Sequence, residues 1–308
     1  MRGRPVVVNR RRRPCTNARE AVLDAERRFK RARLYFGHGT DNARDEAVFL
    51  VFHALGLPFD CPASRLEAPL NEAQLAAVES IVASRIARRC PAAYLTGRMW
   101  FAGHEFQVNE HVLVPRSPIA ELVLDRFAPW YHGPAITRIL DIGTGSGCIG
   151  IAAALAFPDA HVDATDVSPR ALAVAARNVA RHAVAARVHL HEADLFPESR
   201  AYAPYDLVLA NPPYVPASER AELPDEYTHE PPLALFAEDE GLALIRRIIA
   251  GTAGRMARHG LLVLDAGGTW PAVDEAFRGL PITWVELAHG GDGIGVITQP
   301  DLERFALQ

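Results

Sequence analysis

The chain is 308 residues long, with 33 Lys and Arg against 37 Asp and Glu, a formal charge of −4 and a pI of about 6.3. Hydrophobic residues make up 49% and charged residues 23%, which excludes a disordered or collagen-like chain and leaves room for about two domains. The acidic balance excludes a protein built around a broad basic face for nucleic acid; the longest apolar stretch, residues 148–157, is far short of the roughly 20 residues that cross a bilayer, and with no leader pattern a cytosolic protein is expected.

Residues 1–16 carry Arg10 to Arg13 between Pro5 and Pro14 with no hydrophobic period, and are read as a disordered, solvated tail, a weak RNA contact being the alternative. Ala21, Val22, Ala25 and Phe29 recur at helical spacing over residues 18–34, and residues 45–57 give a second, more apolar helix. Asn71 followed three residues later by Gln74 is a capping-box variant opening a third helix to about Arg89. A small all-helical domain over residues 17–92 is expected. Cys15, Cys61, Cys90 and Cys148 form no Cys-x-x-Cys pair, and the expected pairing of His189 with His191 on one strand face supplies too few ligands, so no metal site is read.

Residues 93–115 change to β-prone runs, Met99-Trp100-Phe101 and His111-Val112-Leu113-Val114, broken by Gly97, Gly103 and Asn109, and are read as a β-hairpin linker. Ser117-Pro118 predicts a capped helix from Ile119 to about Trp130. Strands are then predicted at 138–142, 161–165, 188–191, 207–210 and 261–264, with helices at 168–182 and about 241–258. Two final strands, 282–287 and 294–298, flank the turn Gly290-Gly291-Asp292-Gly293. The fold class is α/β, a parallel sheet closed by an antiparallel hairpin.

Asp141-Ile142-Gly143-Thr144-Gly145-Ser146-Gly147 runs from a strand into a helix, which puts bare backbone and a helix N-terminus at the carboxyl edge of the sheet, where a nucleoside cofactor binds. Asp166 closes the next strand about 20 residues on, placed for ribose hydroxyls, a feature shared by NAD and S-adenosylmethionine sites. Asp194 follows the third strand as an acceptor for an adenine amine. The sharpest signal is Asn211-Pro212-Pro213-Tyr214 after the apolar run 207–210. Two prolines fix the backbone and remove two donors, leaving carbonyls and the Asn211 oxygen as rigid acceptors for an NH2 group, with the flat Tyr214 ring beside them.

Residues 141–147 with 211–214 resemble class I S-adenosylmethionine-dependent methyltransferases acting on planar nitrogen. Pro91-Ala92-Ala93-Tyr94-Leu95-Thr96-Gly97, Val114-Pro115-Arg116, Glu230-Pro231 and Gly241-Leu242 extend the likeness to the protein glutamine methyltransferases. Residues 35–42 and 45–47, 115–122 and 290–293 look like the branch that modifies large-subunit ribosomal protein L-three rather than the branch that modifies release factors. The resemblance implies a seven-stranded Rossmann-like sheet in a methyltransferase domain over 116–308, and a helical domain that selects the protein partner. It also implies S-adenosyl-L-methionine bound by Asp141, Gly143, Thr144, Gly145, Ser146, Gly147, Asp166, Asp194, Leu195 and Asn211, with no metal.

The resemblance further implies that Asn211 Oδ1 and the Pro212 carbonyl accept the hydrogens of a glutamine amide, whose methylenes and plane lie against Pro213, Tyr214 and Phe101. Phe101 as a core residue is the alternative. Arg116 is read as a brace of the domain interface rather than a substrate contact, and Asp265, where many relatives carry Glu, is left between a structural and a functional role. The rivals are a release-factor enzyme and a methyltransferase of adenine or guanine amino groups on a flipped base. A dehydrogenase leaves Asn211 to Tyr214 unexplained, and a non-enzymatic ribosome assembly factor needs neither motif.

Overall fold

Asn17 accepts the Glu20 N–H on its side-chain oxygen at 2.9 Å and opens helix α1 (Ala18–Ala32). This structure, a computed structural model, describes residues 15–198, 204–288 and 290–307; the Arg10 to Arg13 run lies outside the described residues. Helix α2 (Ala43–Leu55) starts two residues before the expected position because Asn42 Oδ1 accepts the N–H groups of both Arg44 and Asp45. After α3 (Ala63–Glu67) comes α4 (Glu72–Arg88), opened by the expected capping box: Asn71 accepts the Gln74 N–H at 2.9 Å and Gln74 Oε1 accepts the Asn71 N–H at 3.0 Å. Each such cap is worth about 1 kcal/mol.

Ala18, Ala21, Val22, Ala25 and Phe29 form the buried stripe of α1, as the periodicity predicts. Inside this helical unit Arg85 Nε donates to Glu46 Oε1 at 2.7 Å, with both side chains 1% exposed, and Arg85 Nη2 reaches the Tyr35 carbonyl. The chain divides into two compact units, the first ending at Leu95 and the second starting at Thr96; the short helix α5 (Ala92–Thr96) spans that division.

The second unit begins with the hairpin β1 (Arg98–Phe101) and β2 (His104–Gln107). It continues through α6 (Ile119–Leu124), β3 (Arg138–Ile142), α7 (Cys148–Ala156), β4 (His161–Asp166), α8 (Pro169–Arg181), β5 (Val188–Glu192) and β6 (Tyr205–Ala210). There follow β7 (Val215–Pro216), α9 (Pro232–Leu235), β8 (Phe236–Ala237), α10 (Ala243–Thr252), β9 (Met256–Asp265), α11 (Trp270–Ala276), β10 (Thr283–Trp284), β11 (Ile294–Thr298) and α12 (Gln299–Ala306). Seven strands make one sheet in the order β10-β11-β9-β6-β3-β4-β5. Strands β9, β6, β3, β4 and β5 are parallel, and β11 inserts antiparallel between β9 and β10.

Alternate residues of the central strands feed two cores. Ile139, Leu207, Leu209 and Val263 face one, Leu140, Val208, Leu262 and Leu264 the other, all buried. Burial on both faces explains the uninterrupted apolar runs of β6 and β9, each such side chain contributing roughly 1.5–3 kcal/mol. The strand crossing point, where β3 lies between β4 and β6, puts the carboxyl ends of all three beside one another.

Several expected elements differ, among them the strand expected over 282–287, of which only Thr283–Trp284 is formed. The partner of β1 is β2, and His111 to Val114 form no strand: the Val114 N–H donates to Glu230 Oε1 at 2.9 Å instead of to a ladder. Helix α6 stops at Leu124 rather than Trp130, because Arg126 and Phe127 turn left-handed, at φ 54° and 59°, and swing the Phe127 ring fully into the core. Helix α10 ends at Thr252, not Arg258, since Met256 is already paired with Tyr205 of β6.

Candidate active site

The loop after β3 is a cradle of backbone. Gly143, Gly145 and Gly147 have φ of 68°, 55° and 82°, the left-handed region that residues with a Cβ avoid, and Gly147 caps α7. Asp141 Oδ2 takes the Thr144 hydroxyl at 2.5 Å and the Gly150 N–H at 2.9 Å, while its buried Oδ1 has no hydrogen-bond partner among the described residues. Burial pushes the Asp141 carboxyl up to about 6, against the pull of the Thr144 and Gly150 donors. The Thr144 N–H donates to the Thr165 carbonyl at 2.8 Å, which stitches the loop to β4.

Asp166, at the end of β4, accepts the Gly145 N–H on Oδ2 at 2.9 Å and the Ser168 N–H on Oδ1 at 2.8 Å. Burial raises its pKa, and those donors oppose the shift. Ser168 in turn caps α8, whose expected Ser-Pro opening is present. Asp194 Oδ2 accepts from Arg247 Nη2 at 2.8 Å. Leu195 sits at φ 71° with its carbonyl held by the Thr165 hydroxyl at 2.7 Å. Gly143 to Ser146, Asp166, Asp194, Leu195 and Asn211 line one cleft of about 370 Å³, a size within the range of small-molecule and cofactor sites. Asp141 and Gly147 are not among the residues that line it.

Asn211, Pro212 and Pro213 enter the same cleft from the end of β6. Tyr214 is not among the residues that line it. Its ring lies over Gly267, where a Cβ would fall 2.4 Å from Cζ, and its carbonyl accepts the Thr269 hydroxyl at 2.8 Å. Burial, then the nearby Asp265 carboxylate, push the Tyr214 hydroxyl up to about 12. Gly241, at φ 86°, leaves room for the Tyr214 carbonyl, which a Cβ would approach to 2.2 Å. Phe101 does not reach the cleft: it is 4% exposed in the core, edge-on to Phe106 at 6.4 Å. Strand alternation in the hairpin turns that ring inward, toward the core position that is the alternative reading of Phe101.

Arg116 braces, but within the second unit: Nη1 and Nη2 donate to the two oxygens of Glu230 at 2.6 and 2.8 Å. Asp265 accepts the Ser117 hydroxyl at 2.7 Å and the Gly267 N–H at 3.1 Å; burial pushes it up to about 6, with those two donors opposing. Sequence reasoning missed Asn178. This fully buried amide accepts the Gln107 N–H at 2.7 Å and donates to the Gln107 and Ser146 carbonyls at 2.9 and 2.8 Å, tying β2 to the glycine loop. Its signal was an Asn in the buried stripe of α8 among alanines and valines. His191 Nε2 lies 2.9 Å from Asp163 Oδ1 and His189 stacks on His161; neither is among the residues that line the cleft.

A parallel sheet with this strand order, a glycine cradle at its carboxyl edge and an inserted antiparallel last strand is the class I methyltransferase fold. A family model described as methyltransferase small domain matches residues 121–230, and one described as PrmC N-terminal domain matches residues 20–97. Similar proteins include the ribosomal protein uL3 glutamine methyltransferase of Bordetella pertussis, 44% identical over 295 residues that span 96% of this chain and 99% of the relative. Those of Burkholderia pseudomallei and Neisseria gonorrhoeae are each 42% identical, spanning 95% and 90% of this chain and 98% and 92% of their own. The chain belongs to the PrmC-like protein glutamine methyltransferase family.

Proposed function

We propose that this protein transfers a methyl group from S-adenosyl-L-methionine to the side-chain amide nitrogen of a glutamine in ribosomal protein uL3, in the cytoplasm where ribosomes are assembled. The observation that carries the reaction is that Asn211, Pro212 and Pro213 line the same cleft as the glycine cradle and Asp166. The choice of uL3 over a release factor is supported by the names of the near-full-length relatives.

The residues present fit the cofactor. The cradle around Gly143 and Gly145 offers backbone where a Cβ is disfavoured, and the Asp166 carboxylate, anchored by two backbone donors, borders the cleft as an acceptor for ribose hydroxyls. Asp194 and Leu195 close its far side. When bound, S-adenosyl-L-methionine supplies an electrophilic methyl on a sulfonium.

An amide nitrogen is a weak nucleophile because its lone pair is delocalised into the carbonyl. Asn211 Oδ1 and the Pro212 carbonyl accept the two amide hydrogens, which turns the nitrogen toward the methyl donor. These acceptors gain strength as positive charge builds on nitrogen, so they favour the transition state over the ground state. Orientation of this kind recovers on the order of 7–11 kcal/mol. Pro212 and Pro213 keep the acceptors fixed, and Tyr214, wedged over Gly267, holds the turn behind them. The transfer leaves the neutral thioether S-adenosylhomocysteine and an N-protonated methylamide cation, which is strongly acidic and loses its proton to water.

The test is label transfer from tritiated S-adenosyl-L-methionine to uL3, release factor and total RNA in parallel, for wild type and Asn211→Ala. Label on a uL3 glutamine that disappears in the variant is expected. Label on release factor moves the reading to the sister branch, and label confined to RNA sinks amide transfer.

A further inference from the structure

We infer that Arg116 and Glu230 form a positioning clamp that sets the span of the cleft and thereby the alignment of the acceptor amide, an inference that rests on the methyl-transfer reading above. Two chain segments far apart in sequence both contribute to the cleft wall and meet at Glu230. One is the non-strand strip around Leu113, Val114 and Pro115, and the other is Pro231 with Leu233 and Ala234 of the short helix α9. Neither belongs to the sheet, so no ladder holds them at a fixed separation.

One carboxylate does. Glu230 Oε1 accepts the Val114 N–H at 2.9 Å and Arg116 Nη1 at 2.6 Å, while Oε2 accepts Arg116 Nη2 at 2.8 Å. Arg116 Nη1 also folds back on the Val114 carbonyl at 3.3 Å, and its guanidinium lies over the Tyr227 ring at 5.7 Å. Three donors of one strip thus converge on the residue immediately before Pro231. The Glu230 side chain is fully buried and that of Arg116 is 20% exposed. A planar fork matched to both carboxylate oxygens fixes orientation as well as distance, which a single-point ammonium does not.

A buried ion pair of this kind is a poor source of fold stability, since apolar replacements of both partners are often tolerated. That property separates positioning from a purely structural role. Four variants are compared with wild type: Arg116→Met, Arg116→Lys, Glu230→Gln and the double variant Arg116→Met/Glu230→Leu. The readouts are kcat and KM for uL3 and cofactor, calorimetric binding of S-adenosylhomocysteine, thermal midpoint, and amide exchange of residues 111–117. Arg116→Met is expected to lower kcat at least thirtyfold and to speed exchange of the strip at least tenfold. Arg116→Lys recovers part of kcat, and the double variant regains the wild-type melting midpoint without regaining kcat.

A double variant that recovers both melting and kcat to within threefold overturns the clamp, as does Arg116→Met with unchanged turnover and unchanged exchange. Wild type that methylates no glutamine overturns the parent reading instead. The clamp then stands if the single variants accelerate strip exchange and weaken S-adenosylhomocysteine binding tenfold, and falls if they do neither.

Discussion

A Cβ on Gly150 would fall 2.8 Å from Asp141 Oδ2, and its absence is what lets the Gly150 N–H donate to that oxygen at 2.9 Å. The carboxylate of β3 is thereby sealed under the first turn of α7 with one oxygen doubly bonded and the other bare. Such an arrangement is costly while the group is charged.

Asp141 therefore links stability to pH. Burial lifts its carboxyl from 3.8 to about 6, so between those values the folded state holds a proton that the unfolded chain has released. The stabilising contribution is complete below the unfolded pKa and is lost as pH rises through the folded one, on the order of 3 kcal/mol in all. Asp265 shifts in the same direction and cancels when Asp141→Asn is compared with wild type. The unfolding free energy of the variant minus that of wild type should rise from about pH 4 to about pH 6 and stay level above about pH 7. Urea titrations across that range check it, and a pH-independent difference contradicts it.

On the proposed reading, Asn211→Ala removes one of the two acceptors for the substrate amide. Loss of a comparable preorganised hydrogen-bond partner costs roughly 10²–10³ in kcat, and at least that is expected here. S-adenosylhomocysteine affinity, measured by calorimetry, should change by only a few fold. A parallel collapse of cofactor binding would mean that Asn211 serves the cofactor rather than the amide.

Gly241→Ala puts a Cβ 2.2 Å from the Tyr214 carbonyl oxygen, at a φ of 86°. The left-handed backbone alone costs about 1–3 kcal/mol for a residue with a side chain, and relief of the overlap must shift Tyr214. Lower thermal stability together with reduced methyl transfer is expected. An alanine variant with wild-type melting and turnover would remove Tyr214 from the set of residues that hold the turn.

In the helical unit, Arg85→Met leaves the Glu46 carboxylate buried at 1% exposure without its guanidinium. Breaking a buried pair from one side costs about 3–5 kcal/mol. Hydrogen exchange should show protection lost across α1, α2 and α4, whereas unchanged protection would show that the pair contributes nothing net.

Local chemistry was legible in the sequence. The Asn71 and Gln74 box, the Ser168-Pro169 start of α8, the glycines of the cradle and the diproline after β6 each depend on neighbours within a few residues. What was not legible depends on distant partners. Val112 and Val114 look like strand residues, yet the Val114 N–H is taken by a carboxylate 116 residues away. Phe127 ends α6 early because a core pocket receives its ring, and Phe101 faces inward because β1 pairs with β2 rather than with residues 111–114. Asn178 is polar for the sake of Gln107, 71 positions upstream.

The outermost strands of the sheet, β10 and β5, each have a strand partner on one side only among the described residues. At one end β10 is only two residues long, and at the other β5 presents exposed His189 and Glu192. Short length and charge make both poor templates for a foreign strand. Edge-to-edge association of two copies through either margin is thereby disfavoured.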